Sequence, residues 1–375
     1  MRTCIVHEWL ASYAGSERVL EQMLLTLPDA DIYCVLDALS PEERGFLRGR
    51  PVKSSFIQRL PFALSRHRYY LPLMPLAVEQ FDLSGYDLVI SSSHAVAKGV
   101  LTGPDQLHIC MCYSPIRYAW DLQHQYLSEA GLTSGIKSVL ARLMLHYMRQ
   151  WDARTANGVD CFIAISEFIA RRIWKVYHRP STVIYPPVDI ERFQPGTTKE
   201  SFYVTASRVV PYKRVEMIVE AFSQMPGRQL VVIGDGSDGR KVVAKAGSNI
   251  KLMGSQSFDV LRDYMQRARG FVFAAEEDFG IVTVEAQACG TPVIAYGRGG
   301  STETVIDGQT GVFFHEQSIQ SLVAAIDSFE KMQFDPRRIR RHAERFSGDR
   351  FREEFTRLVS NELDKFRSSS ERKSV

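Results

Sequence analysis

The sequence has 375 residues, with 46 Lys and Arg against 43 Asp and Glu and a formal net charge of +3. So balanced a charge gives no argument for a nucleic-acid partner, and none is expected; a 45% hydrophobic, 24% charged composition is that of a soluble globular protein with a sizeable core. The length leaves room for two domains of ordinary size.

The N-terminal MRTCIVHEWL lacks the pattern of an export signal, and no run approaches the ~20 apolar residues of a spanning helix. A cytoplasmic protein is expected, one that meets a membrane only from that surface. Strands are predicted at Cys4–Val6, Ile32–Leu36, Asp87–Ser91, His108–Cys112 and Cys161–Ile165, with a helix over Glu17–Leu25 after an Ala14-Gly15-Ser16 turn. Alternation of this kind implies a mostly parallel, doubly wound sheet. The cysteines Cys4, Cys34, Cys110, Cys112, Cys161 and Cys289 mostly sit in these apolar runs and read as reduced, buried thiols. Cys110 and Cys112 share one side of a strand, and core packing is expected because no partners at metal-ligand spacing accompany them.

Between Lys53 and Ala77 the composition changes. Lys53, Arg59, Arg66, His67 and Arg68 are interleaved with Phe56, Phe62, Tyr69, Tyr70 and Met74, without one carboxylate. This suits an anionic membrane surface or a prenyl-diphosphate acceptor. It reads equally well as a loop-rich insertion packed on its own domain. A second basic amphipathic segment, Gly135–Arg154, is expected to turn its apolar side to the core. Ser92, Ser93 and His94 lie at the carboxyl edge of a strand, and the run from Tyr113 to Asp121 follows the next one. Ser166 caps a helix. The tandem Pro186-Pro187 stiffens an extended stretch and marks a domain crossing near mid-chain.

Strand Ser201–Ala206 leads into Arg208 and Lys213, then a helix from about Val215. A guanidinium and an ammonium at one strand end form a clamp for two neighbouring phosphates. Strand Gln229–Ile233 ends in Gly234-Asp-Gly236, and Ile250–Met253 in Gly254-Ser-Gln256. The most informative stretch runs from Phe271 to Gly300, FVFAAEEDFGIVTVEAQACGTPVIAYGRGG. A buried strand, Phe271–Ala275, meets the acidic loop Glu276-Glu277-Asp278. A helix then starts near Gly280, is capped by Gly290 and stopped by Pro292. Val293–Tyr296 is the next strand, and Gly297, Gly299 and Gly300 form a flexible turn. A βαβ unit of this kind opens a ligand crevice at the strand's carboxyl end. The free N–H groups of the helix's first turn favour an anion such as a diphosphate. Glu277 and Glu285 cannot bind phosphate, so they accept from hydroxyls, which a nucleotide sugar carries on both its ribose and its hexose.

Glu277-Asp-Phe-Gly-Ile-Val-Thr-Val-Glu285 resembles the E-x(7)-E signature of retaining glycosyltransferases in the glycogen-synthase-like and sucrose-synthase-like group, glycosyltransferase family 4. The following ACGTPVIA, the Gly299-Gly300-x-x-Glu303 run and the Arg208-to-Arg214 element belong to the same likeness. In the first half, Ala14-Gly15-Ser16-Glu17-Arg18 is similar to the family's GG-x-E-R turn, with Gly15 alone kept of its two glycines. Ser166-Glu-Phe-Ile-Ala is similar to a family helix start. Tyr113-Ser-Pro-Ile-Arg117-Tyr-Ala-Trp120-Asp121 resembles the H-[ST]-P-x-R-Y-x-W-D run of bacterial polysaccharide mannosyltransferases, with Tyr113 where those relatives often carry His.

The resemblance implies an α/β, GT-B fold: two Rossmann-like, doubly wound domains facing each other across a cleft. Residues 1–185 would form the acceptor-side domain and 186–348 the nucleotide-sugar domain. A basic helix is expected over Arg337–Arg345, a last helix over 349–366 crossing back to the first domain, and a disordered tail over 367–375. Catalytic roles would fall to Arg208, Lys213 and Glu277. Gly15, Gly234, Phe279, Gly280, Ile281 and Glu285 would bind the donor. On the sugar or acceptor side, either His94 serves the sugar pocket or Tyr113 supplies the orienting hydroxyl, with Arg117 and Asp121 shaping the acceptor side. The implied reaction needs no metal and no cofactor. It moves a hexose, mannose from GDP-mannose by first choice, to a lipid-diphosphate-linked glycan in O-antigen or exopolysaccharide synthesis. A UDP-sugar donor is the alternative. A non-hydrolysing epimerase would need paired acids with a His that are not found, and a non-catalytic sugar-binding protein would be expected to carry an export signal.

Overall fold

The computed structural model describes the backbone of residues 1–373 and the side chains of residues 1–369. Two compact units divide the chain: residues 1–185 with the helix from Phe351 onward, and residues 186–350.

The first unit is built on a seven-stranded parallel sheet. Its strands are β1 (Thr3–Leu10), β2 (Asp31–Asp37), β3 (Val52–Ser54), β4 (Leu88–Ser93), β5 (Leu107–Cys112), β6 (Cys161–Ala164) and β7 (Ser181–Val183). Their spatial order is β3-β2-β1-β4-β5-β6-β7. β1 pairs with β2 (Cys4↔Asp31) on one side and with β4 (Thr3↔Leu88) on the other. The edge strands β3 and β7 carry no signal in the sequence, because each is three residues long and partly exposed.

The second unit has a six-stranded parallel sheet: β8 (Tyr203–Ala206), β9 (Leu230–Ile233), β10 (Ile250–Leu252), β11 (Gly270–Phe273), β12 (Val293–Tyr296) and β13 (Gly311–Phe314). The order is β10-β9-β8-β11-β12-β13. β8, β9, β11 and β12 are buried along their whole length, as strands covered on both faces must be, which is why each reads as an unbroken apolar run. Ile218 and Phe222 from the Val215–Ser223 helix and Leu322 and Ile326 from the Ile319–Phe329 helix close one face. Each such buried side chain stabilises the unit by about 1.5–3 kcal/mol.

Both orders reverse direction once, between β1 and β4 and between β8 and β11. At such a switch point the loops leaving neighbouring strands diverge and open a crevice at the carboxyl ends.

Two expectations fail in the helices. The Ile136–Thr155 helix does not turn its apolar side inward along its length. Met148 and Trp151 reach the core and Met144 and Leu145 pack against it, as expected of one side, whereas Ile136, Val139, Leu140, Leu143 and Tyr147 stay exposed. Its amphipathic period therefore reports a surface stripe. The last helix runs Gly348–Lys373, past the end expected at Phe366, so 367–373 are helical where a disordered tail was expected. Residues 374–375 lie outside the described residues. Phe351 and Phe355 are fully buried, and Arg352 hydrogen-bonds Gln22 on the Gly15–Thr26 helix. A helix anchored in this way adds one hydrogen bond per further residue, and no Gly or Pro follows to stop it. The six cysteines are unpaired, Cys161 half-buried and the others buried.

Candidate functional site

At the switch point of the second unit, β8 delivers Ser207 and Arg208 and β11 delivers the acidic loop. After Arg208 the chain makes a short 3-10 turn, Pro211–Lys213, with the Lys213 amide donating to the Val210 carbonyl at 3.0 Å. Arg214 then takes a left-handed conformation, φ 57°, and starts the Val215–Ser223 helix. This turn aims Lys213 at the loop after β11, where its Nζ forms an ion pair with Glu277 Oε1. The two side chains are 12% and 21% exposed, so water screens the pair incompletely while leaving it accessible. The Phe273 ring lies 5.8 Å and the Tyr212 ring 5.4 Å from the ammonium. Arg208 is exposed and donates from Nη2 to the Tyr212 hydroxyl at 3.2 Å.

The acidic loop is held from above. Glu277 forms a bridge with Gly299, and the Gly300 amide donates to the Glu277 carbonyl at 2.7 Å. A Cβ on Gly299 would lie 2.5 Å from that carbonyl oxygen, and one on Gly300 2.3 Å from the Phe279 Cα. The glycines expected as a flexible turn are thus clamped; they are glycine because two backbones touch. Gly280, φ 86°, caps the Ile281–Ala288 helix, and Phe279 packs its ring on Phe346, 5.5 Å between centroids. Glu285 is buried one turn inside the helix. Beneath it runs a buried polar column: Thr283 with Thr304 at 2.9 Å, Gln287 Nε2 to the Thr304 carbonyl at 2.6 Å, and Gln287 Oε1 with His342 Nδ1 at 2.9 Å. Burial, reinforced by Arg345, lowers the His342 pKa to about 4, so it serves as a neutral donor. Gly234 backs onto β8, where a Cβ would lie 1.8 Å from the Ser207 carbonyl oxygen. It lets the β9 turn approach the strand end that carries Arg208.

Arg208, Lys213, Gly234, Glu277, Phe279, Gly280, Ile281 and Glu285 therefore surround one switch point. Tyr212, Phe273 and the Thr283–His342 column were missed by sequence reasoning. Tyr212 sits inside the quoted Arg208–Arg214 run, so only its contact was hidden. The column joins residues distant in the chain and has no local signal.

At the first unit's switch point, between β1 and β4, the chain places its own anion. The Glu8 carboxylate, fully buried, accepts from the amides of His94, Ala95, Val96 and Ala97 at 2.7–3.0 Å and from Ser93 Oγ at 2.9 Å. Burial would raise its pKa, but His94 and these amides outweigh it and hold the carboxyl below its ordinary value. His7 bridges Ser92 (2.9 Å) and Glu17 (3.3 Å), and Ser92 Oγ meets the Tyr113 hydroxyl at 2.8 Å. Tyr113 OH also reaches the Ser16 carbonyl at 3.2 Å, and burial raises its pKa far above the usual phenol value. Its hydroxyl is thus committed to a buried network. His94 is half-buried and sets its ring edge-on to Trp9, centroids 4.7 Å apart. Gly15 opens the Gly15–Thr26 helix, with Glu17 accepting from the Ala14 amide at 3.1 Å. Arg117 is half-buried on the loop after β5, and Asp121 is paired with Arg172, a partner not foreseen. Glu8 was visible as a carboxylate ending an apolar strand, though its amide nest was not. Among the described residues no group of three or more His, Cys, Asp and Glu is placed to hold a metal ion.

Residues 13–192 match the family Glycosyltransferase Family 4 and residues 188–346 match Glycosyl transferases group 1. A GDP-mannose-dependent monoacylated alpha-(1-6)-phosphatidylinositol monomannoside mannosyltransferase of Corynebacterium glutamicum is 31% identical over 193 residues, covering 43% of this chain and 51% of that protein. A D-inositol 3-phosphate glycosyltransferase of Mycobacterium avium is 28% identical over 185 residues, covering 43% of this chain and 44% of its own length. The chain spans about half the length of the curated relatives it matches. Among solved structures, sucrose-phosphate synthase of Thermosynechococcus elongatus aligns with a TM-score of 0.70 at 18% identity, over 97% of this chain and 100% of its own. An Anabaena protein solved with UDP and glucose aligns with a TM-score of 0.66 at 17% identity, over 96% and 99%. At these identities the likeness is one of fold, two Rossmann-like α/β units of the GT-B class.

Proposed function

We propose that this chain, in which a glycosyltransferase family 4 domain precedes a glycosyl transferases group 1 domain, transfers a hexose from a nucleotide sugar with retention of anomeric configuration. The donor is GDP-mannose and the acceptor a lipid-diphosphate-linked glycan, in the synthesis of a bacterial surface polysaccharide. The observation that carries the reading is the Lys213–Glu277 pair beside the N-terminus of the Ile281–Ala288 helix. A cation, a carboxylate and the first-turn amides of a helix are what a sugar diphosphate requires at one place.

Arg208 and Lys213 bind the diphosphate and stabilise its growing charge as it leaves, the main electrostatic task of the reaction. No metal is assigned to that task. The amides of Phe279, Gly280 and Ile281 hold the β-phosphate or the hexose. Glu277 accepts from a hexose hydroxyl and Glu285 from the ribose. The bond from the anomeric carbon to the phosphate oxygen breaks while the acceptor oxygen bonds on the same face, and the acceptor's proton passes to that phosphate oxygen. In the first unit, His94 and Arg117 serve the sugar or acceptor. The acid-free Lys53–Ala77 segment, with Phe62 and Tyr69 75% and 78% exposed, meets the cytoplasmic membrane surface where such an acceptor resides.

The mannosyltransferase relative supports GDP-mannose. A UDP-sugar is the second reading, favoured by the Anabaena neighbour solved with UDP and glucose. Incubation with GDP-mannose, UDP-glucose and other nucleotide sugars, followed by the slow release of free nucleotide, distinguishes them. Release from GDP-mannose alone is expected, and release from none would refute the assignment.

A further inference from the structure

The Ile136–Thr155 helix packs one side on the core of the first unit and leaves another side exposed. The packed side buries Ser138, Met148, Trp151 and Asp152, with Met144 and Leu145 half-buried against the same core. On another side of the same turns, Ile136, Val139, Leu140, Leu143 and Tyr147 are 46–80% exposed. The spacing 136-140-143-147 puts them on one stripe. Single exposed apolar residues are ordinary; five within about three turns on one side form a contiguous patch that marks a docking surface.

Charge narrows what docks there. Between Glu129 and Asp152 the chain has no carboxylate, while Lys137, Arg142 and Arg149 lie within that stretch. Residues 44–78 likewise lack Asp and Glu and hold seven Lys and Arg. The two segments stand on one core, to which the first contributes Met74 and Ala77 and the helix Met148 and Trp151. Glu79, just after the first segment, accepts from both Trp151 Nε1 and Arg154 Nη2 at 2.8 Å.

The geometry points to an anionic lipid surface as the occupant of this stripe. The half-helix Ile136–Tyr147 lies in the plane of the membrane interface, its apolar side among the acyl chains and Lys137 against lipid phosphates. Twelve residues at 1.5 Å each reach about 18 Å, well short of the ~30 Å hydrocarbon core, so the segment lies in the interface. A second copy of this chain fits less well. The 4-3-4 spacing would also suit a coiled-coil seam, but such a seam draws on flanking acid–base pairs, and this stretch supplies cations alone. The inference extends the membrane contact of the proposed function and rests on it, but it is independent of the sugar transferred.

The test is co-sedimentation of the full chain with phosphatidylglycerol/phosphatidylcholine vesicles and with phosphatidylcholine alone, in the absence of donor and acceptor. Binding to the anionic vesicles is expected, at least tenfold tighter than to the neutral ones. The double variant L140S/L143S is expected to lose tenfold or more of that binding with its melting temperature unchanged, because both side chains are exposed. Its release of GDP from GDP-mannose stays at the wild-type rate, which separates a failure of docking from a failure of the catalytic reading. Wild-type protein that ignores anionic vesicles would overturn the proposal. So would a double variant that binds as well as wild type, or a solution dimer that L140S/L143S dissociates.

Discussion

A methyl group on Gly300 would lie 2.3 Å from the Phe279 Cα and 2.6 Å from its carbonyl oxygen, where the turn after β12 closes over the acidic loop. Neither contact is with a flexible side chain, so backbone must move. Gly300→Ala is expected to destabilise the protein by about 2 kcal/mol or more in a denaturant titration, and to weaken nucleotide-sugar binding because the loop carries Glu277. A second residue has a consequence in pH. His108 is fully buried, with Nδ1 3.0 Å from the Gly158 carbonyl and Nε2 2.8 Å from Ser91 Oγ. The carbonyl can only accept, so Nδ1 carries the proton and Ser91 donates to Nε2. Burial lowers its pKa from 6.5 to about 4. Below pH 6.5 the unfolded chain therefore takes up a proton that the folded chain refuses, and stability falls as pH drops from 6.5 towards 4. The loss from this group is about 3 kcal/mol. Chemical denaturation across that range is expected to show a shallower decline in His108→Gln than in wild type.

At the level of elements, the two switch points have opposite occupants. In the second unit the divergence of β8 and β11 leaves a helix N-terminus beside a lysine. In the first, the divergence of β1 and β4 is filled by Glu8, which takes four backbone amides and the Ser93 hydroxyl. Glu8→Gln turns an amide NH2 toward those donors, and a loss of about 3 kcal/mol or more in unfolding free energy is expected. A change below about 0.5 kcal/mol would show that the nest does not hold the His94 turn. The element scale is also where sequence reasoning works best. β12 is legible to the residue, because four apolar positions lie between Pro292 and Gly297 and a strand covered on both faces leaves no polar position to blur its ends. β3 and β7 are illegible for the converse reason, since edge strands need little apolar character. The Ile136–Thr155 helix shows a subtler failure. Its period gives the helix and its stripe but not which way the stripe faces, since an apolar side reads the same whether it lies on the core or on the surface.

At the scale of the whole molecule, each unit carries its own sheet and core, and the last helix returns the chain to the first unit. The residues of the second unit's site come from three separate segments, at 208–213, 234 and 277–285. Their convergence could be expected because each follows a strand of one parallel sheet, whose carboxyl ends lie together. What pairs with what was not legible: the Lys213–Glu277 contact joins residues 64 positions apart, and Asp121 and Tyr113 found structural partners that no spacing announces. The reading as a sugar-transferring enzyme depends on Lys213, held beside Glu277, acting with Arg208 as the diphosphate clamp. It is tested most directly by the rate at which GDP is released from GDP-mannose by the wild-type protein and by Lys213→Ala. Release by the wild type and a loss of about 100-fold or more in the variant, with its melting temperature unchanged, is the predicted result; release at the wild-type rate by a folded Lys213→Ala protein would contradict it.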